Sequence, residues 1–176
     1  TFLIDKTITK NIIRTSHIEP KTNEVWVSCH KGVFIWNNAT KSFTKHPNLT
    51  LQKNIISSIL IEKTAYFSTS DGKLMEYNVT TNESKTYPIL NGINDFFSIA
   101  KNKTNNHEMI LYSSNKIVVF NCLTKKTNTI YTSNYFINHV LYDEETKQIW
   151  VSTINGLIKL NNTSNAIENL MVPSNN

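Results

Sequence analysis

Apolar and polar residues alternate along nearly the whole chain, in short runs rich in Val, Ile, Tyr, Phe and Trp. Asn, Gly, Asp, Thr or Pro interrupts these runs every 8–12 residues or so, the pattern of short strands and turns. Residues 54–90 show it plainly. IISSILIE (55–62) is β-branched, AYFSTS (65–70) and KLMEYN (73–78) flank Asp71-Gly72, and SKTYPI (84–89) follows the polar VTTNE. No window places apolar residues at i, i+3, i+4 and i+7, so no amphipathic helix is predicted. The pattern predicts an all-β chain.

The strands recur as a unit. EVWVSCHKGVFIWN (24–37) returns as QIWVSTINGLIKLN (148–161), with weaker copies TAYFSTSDGKLMEYN (64–78) and EMILYSSNKIVVFN (108–121). Trp26, Tyr66, Leu111 and Trp150 align at intervals of 40, 45 and 39 residues, and Asn37, Asn78, Asn121 and Asn161 at 41, 43 and 40. A second phrase precedes each hairpin: NIIRTSHIE from Asn11, NIISSILIE from Asn54, NGINDFFSI from Asn91 and YFINHVLYD from Tyr135. Roughly 40–50 residues and four strands per repeat fit one blade of a β-propeller. Such a blade cannot bury both its faces alone, so blades must stack.

The expected fold is therefore a single β-propeller domain over residues 1–176, with four blades of four antiparallel strands at 11–48, 54–90, 91–133 and 135–172. An ordinary β-sandwich is the alternative. Residues 1–10 read as an outer strand of a preceding or a closing blade. The first option, favoured by strand order, makes the chain part of a larger propeller with open blade faces and a homodimer through them. A closing strand would instead set Phe2–Thr9 beside residues 156–161, whereas Ala166–Val172 there would complete the fourth blade from within. Trp26, Tyr66 and Trp150 are expected to be buried between blades.

Composition narrows the picture further. A chain of 176 residues with 39% apolar content suits one core. Gly32, Gly72 and Gly156 share one turn position that needs positive φ, and Asn115 stands there in the third repeat. No apolar run reaches membrane-spanning length, and TFLIDKTITK is not a signal peptide. The net charge of +5 is dispersed. Its longest basic cluster, Thr124–Lys126, reads as a solvated turn rather than a nucleic-acid patch. His17, His30, His46, His107 and His139 lack metal-ligand spacing, and no phosphate or dinucleotide loop occurs. Cys29 and Cys122 fall two blades apart, too far for a disulfide. The Asn-x-Thr/Ser triplets at Asn38, Asn48, Asn78, Asn82, Asn102 and Asn162 read as turn chemistry.

Taken together, Asn-x-Val/Ile, an acid, and IWVSTINGLIKLN resemble the two-component regulator propeller repeat, whose core reads roughly lWigT-x-x-GL-x-x-yd. VWVSCHKGVFIWN carries Cys29 where that motif prefers Thr, and the third copy lacks both Trp and Gly. The resemblance implies an extracytoplasmic, periplasmic sensor propeller of a Bacteroides-type hybrid two-component histidine kinase, tuned to glycans or their breakdown products. Any kinase would lie elsewhere. The chain itself would bind and relay without catalysis, cofactor or metal. Its partner would be a glycan or other small ligand, with no nucleic acid and no membrane contact.

In a propeller, the hairpin turn between the two middle strands and the loop entering the innermost strand share one end. The turns offer His30, Lys31, Asp71, Asn115 and Asn155; the entry loops offer Asn11, Asn54, Asn91 and Tyr135. Amide, ammonium, imidazole and phenol groups of this kind suit sugar hydroxyls and an acidic substituent. The alternatives are a protein-binding scaffold, and a propeller lyase using His30 or His139 as base.

Overall fold

The computed structural model describes residues 12–19, 22–49, 54–88, 98–102, 107–161 and 167–170, with backbone alone for Asn161 and Ile167–Leu170. Phe2–Thr9, Asn11 and Asn91 lie outside the described residues. Close packing divides the chain into two compact units, Thr1–Phe97 and Ser98–Asn176. In the first, β1 (Ile13–Ile18), β2 (Val25–Cys29), β3 (Gly32–Asn37) and β4 (Ser42–Lys45) form one sheet. Beside it, β5 (Ile55–Ile61), β6 (Thr64–Thr69), β7 (Lys73–Asn78) and β8 (Ser84–Pro88) form another. The second unit holds β9 (Ser98–Lys101), β10 (Glu108–Tyr112), β11 (Lys116–Asn121) and β12 (Thr127–Thr132). Its other sheet is β13 (Ile137–Asp143), β14 (Gln148–Thr153), β15 (Gly156–Asn161) and β16 (Ile167–Leu170). Every sheet is an antiparallel meander in chain order, the plan of a propeller blade. Beside β15, Leu157 stands opposite Leu170 and Leu160 opposite Ile167. The place that Phe2–Thr9 would need for closure is filled by β16.

Short polar side chains shape the turns. Asn37 Oδ1 accepts from the backbone N–H of Ala39 and Thr40, Asn78 Oδ1 from Thr80 and Thr81, and Asn121 Oδ1 from Leu123 and Thr124. Asp143 caps Glu145 and Thr146 in the same way, and the Thr146 hydroxyl holds its carboxyl below the ordinary range. Each capped turn ends on a left-handed residue, Lys41, Asn82, Lys125 or Lys147, with φ between 51° and 61°. A side-chain oxygen thus satisfies two N–H groups that the tight turn leaves without a strand partner. The recurrent closing Asn is turn chemistry, and so is the acid that ends the second phrase: Glu19 accepts from Thr22 N at 2.6 Å.

A second regularity was hidden in the phrases before the hairpins. β1, β5 and β13 each shift register near their start, between Ile13 and Thr15, Ile55 and Ser57, and Ile137 and His139. The bulge re-aims the innermost strand at the same point in three sheets. Pairing also corrects one alignment. Trp26, Tyr66 and Trp150 each lie two residues beyond the start of the hairpin, opposite Ile35, Glu76 and Lys159. The third-sheet equivalent is Ile110, opposite Val119, rather than Leu111. A shift of one residue turns a side chain to the other face; Ile110 joins the cluster against β13–β16 and Leu111 does not.

Each unit has its core between its two sheets. In the first, Trp26, Val33 and Leu49 pack with Ile55, Phe67 and Tyr77. The buried His46 ring meets Trp26 edge-on at 4.8 Å and Tyr77 at 5.2 Å. Nearer β1, Ser58 on β5 gathers hydroxyls and an imidazole: Thr15 Oγ1, His17 Nε2 at 2.8 Å and Ser28 Oγ at 3.0 Å. In the second unit, Ile110 and Ile117 pack on Val140, Ile149 and Val151. Trp26 and Tyr66 are buried, at 5% and 4% exposure. Trp150 is not: it is half-exposed, beside Leu141 at 58%. Among the described residues, the packing of β13–β16 within its unit lies on its other face, with Ile149, Val151 and Ile158.

Trp26→Ala should therefore destabilise the chain by about 3–5 kcal/mol through the cavity it leaves, and Trp150→Ala by less than half of that. Urea unfolding of the two variants checks the order. Burial lowers the pKa of His17 despite the bond from Ser58, and lowers that of His46 despite the attraction of Glu24. Both imidazoles thus take up a proton less readily in the folded chain, so the unfolded chain is protonated first as pH falls. Stability should be full above the ordinary histidine value and decline as pH drops through and below it. Urea midpoints measured from neutral pH to mild acid should fall less for His17→Gln/His46→Gln than for the parent chain.

Candidate functional site

The hairpin turns are built to hold side chains at one end of each unit. At Gly32 and Gly156, φ is 125° and 119°, values that L side chains rarely adopt. Thr153 Oγ1 donates to Gly156 O and accepts from Asn155 N, which pins the β14–β15 turn. In the β6–β7 turn the Thr69 hydroxyl donates to Asp71 Oδ1 at 2.6 Å, and Lys73 Nζ sits 3.0 Å from Oδ2. The Thr69 bond, with the Lys73 charge assisting, holds the Asp71 carboxyl below its ordinary pKa against a smaller opposing effect of burial.

Entry loops meet these turns through the backbone. In the first unit, Ile12 N donates to His30 Nδ1 at 3.1 Å, and Ser70 N to Asn54 O at 2.9 Å. Asn54 is thereby tied to the turn that carries Asp71, at one end of β5–β8. In the second unit, Ser133 N donates to Asn115 O, Ile137 N to Ser114 O and Ile154 N to Phe136 O. These bonds bring Asn115, Tyr135 and Asn155 to one end of that unit. Lys31, Asn115, Tyr135 and Asn155 are exposed, while His30 and Asp71 are half-buried. His30 Nδ1 is occupied by Ile12 N, which leaves Nε2 for an outside group.

Residue reasoning passed over one further arrangement. Tyr112 Oη lies 3.2 Å from His139 Nδ1, with the rings edge-on at 6.1 Å. His139 and Trp150 border a cleft of about 680 Å³ along β13, with Lys101, Asp143, Glu144 and Glu145 among its walls. The third repeat lacks Trp and Gly, so Tyr112 carried no motif to mark it. Its signal was positional, two residues beyond Ile110 on the same sheet face. Among the described residues, no group of three or more His, Cys, Asp or Glu is placed to hold a metal ion. Cys29 and Cys122 are both buried, and neither forms a disulfide. Among the described residues no helix is long and apolar enough to cross a membrane.

Because the Thr69 hydroxyl is the main cause that lowers the Asp71 pKa, Thr69→Val should raise that pKa toward its ordinary value while leaving the sheet intact. A carboxyl-resolved NMR titration of parent and variant checks this.

No family model and no curated protein matches the chain. Solved structures do. Two structures of the extracellular domain of BT4673 from Bacteroides thetaiotaomicron align at 17% identity, with TM-scores of 0.73 and 0.75. One is described as part of a one-component system, the other as part of a hybrid two-component system. The extracellular domain of BT3049, a hybrid two-component system of the same organism, aligns with a TM-score of 0.72 at 18% identity. The alignments cover 94%, 93% and 93% of this chain and 22% of each neighbour. The chain thus shares the fold of about a fifth of those extracellular domains, a β-propeller built of four-stranded antiparallel blades.

Proposed function

We propose that the chain is the binding part of an extracytoplasmic, periplasmic sensor of the hybrid two-component kind, and that its ligand is a carbohydrate or glycan fragment. The observation that carries this reading is the pairing of each hairpin turn with an entry loop at one end of its unit, in a fold found in extracellular domains of such systems. Asn54, Asn115 and Asn155 offer amides that both donate to and accept from sugar hydroxyls. His30 and Tyr135 add an imidazole and a phenol, Lys31 a cation for an acidic substituent, and Asp71 a carboxylate bonded by Thr69 and paired with Lys73. Asn11 belongs to the same set by sequence. Binding here is recognition without bond breaking, with no cofactor and no metal; a kinase would reside in another part of a receptor.

Of the two alternatives, the Tyr112–His139 contact favours a lyase over a scaffold, since it sets two proton-transferring groups together beside a cleft. The test separates the readings. A variant with His30, Asp71, Asn115 and Asn155 all changed to Ala should keep the parent's circular dichroism and lose binding of acidic and neutral oligosaccharides by titration calorimetry. Unchanged affinity would overturn the loop assignment. Appearance of unsaturated sugar product with the parent chain, lost in His139→Ala, would turn the reading to lyase.

A further inference from the structure

We propose that Asn155 is a site of spontaneous deamidation, at which the β14–β15 turn exchanges a neutral amide for a carboxylate. The reaction needs only water. Gly156 N attacks Asn155 Cγ and a new C–N bond closes a five-membered imide. The Cγ–Nδ2 bond breaks, and ammonia leaves with the proton from Gly156 N. Water then adds to one of the two imide carbonyls and opens the ring, to aspartate on one side or isoaspartate on the other. Two conditions favour the ring closure. The following residue should have no side chain to block the attack, and the Asn side chain should be solvated and unbound.

Among the described residues, Asn155 alone of the asparagines precedes a glycine. It is exposed, and its backbone N–H donates to Thr153 Oγ1 at 3.1 Å. Its side-chain amide bonds to no other described residue. The asparagines that cap turns are placed otherwise. Oδ1 of Asn37, Asn78 and Asn121 each accepts two backbone N–H bonds. The residues after them, Asn38, Val79 and Cys122, all carry side chains. Asn115 holds the corresponding turn position of the third sheet but precedes Lys116.

The second sheet shows that this kind of turn accepts the product. Thr69-Ser70-Asp71-Gly72 stands there where the fourth sheet has Thr153-Ile154-Asn155-Gly156. The Thr69 hydroxyl donates to the Asp71 carboxyl at 2.6 Å. Thr153 offers the same hydroxyl, which donates to Gly156 O at 2.9 Å. An aspartate product therefore finds a donor already in place. Isoaspartate instead lengthens the backbone inside the turn and disturbs the Thr153–Gly156 pairing at the start of β15. The inference rests on the turn alone and is independent of the ligand reading.

Incubation of the chain in mildly alkaline buffer, with and without urea, tests it when followed by tryptic peptide mass spectrometry. Cleavage after Lys147 and Lys159 releases residues 148–159, which contain a single Asn. Fragment spectra should place the amide-to-acid mass change on Asn155, with a second, isoaspartate form separated by chromatography. The peptides with Asn37, Asn78 and Asn121 should stay unchanged over the same time. Asn155→Gln should abolish the change, because its longer side chain closes a six-membered ring far more slowly. Asn155→Asp should keep the parent's urea midpoint. A peptide 148–159 that is unchanged in the folded chain, or changes only in urea, would overturn the proposal. So would equal conversion of the capping asparagines, or a clear loss of stability in Asn155→Asp.

Discussion

A sheet that is apolar on both sides has no stable life alone, and everything else in this molecule follows from that constraint. The inner strands carry Val, Ile, Trp and Tyr on alternate positions of both faces, so each sheet needs a neighbour on each side. Where a neighbour is present, as between β1–β4 and β5–β8, the result is a dry aromatic seam of Trp26, His46 and Tyr77. Polar groups survive inside that seam only by finding one another, as Ser28 and His17 do through Ser58.

The turns meet the complementary demand. A meander reverses direction three times per sheet, and each reversal leaves backbone N–H groups without a strand partner. Asn37, Asn78, Asn121 and Asp143 supply the missing acceptor from their own side chains. Left-handed residues then close the turn without glycine, which is why the chain manages with only 4 glycines. Three of the four glycines stand in middle hairpins, and at Gly32 and Gly156 φ goes beyond what Asn or Lys adopts comfortably. The ends so freed are the ones that carry His30, Asp71, Asn115 and Asn155.

Much of this was legible in the residues. Strand order, the hairpin unit and the Asn turns were readable because period-2 alternation and local side-chain capping depend on near neighbours in sequence. Leu111 was misplaced by one residue because the third repeat lacks the Trp that anchors the others, and pairing with Val119 restores Ile110 to that slot. Trp150 was expected to be buried like Trp26. Its strand has the same apolar pattern, but burial depends on whether a sheet lies opposite, and no residue within a strand encodes its neighbour. The Tyr112–His139 contact escaped for the same reason, since it joins residues 27 apart on two sheets. Bulges at the starts of β1, β5 and β13 had no motif of their own, though each falls inside the recurring phrase.

The two buried thiols give the molecule a built-in clock. Cys29 is fully enclosed in the first unit and Cys122 is 9% exposed in the second, and neither is bridged. A thiol shut inside a core reacts with a soluble alkylating reagent only during the moments when its surroundings open. Labelling at Cys29 therefore times the opening of one pair of sheets, and labelling at Cys122 times the other. A single sample can thus reveal whether the units breathe together or apart, and a bound ligand that slowed one label alone would show which unit holds it.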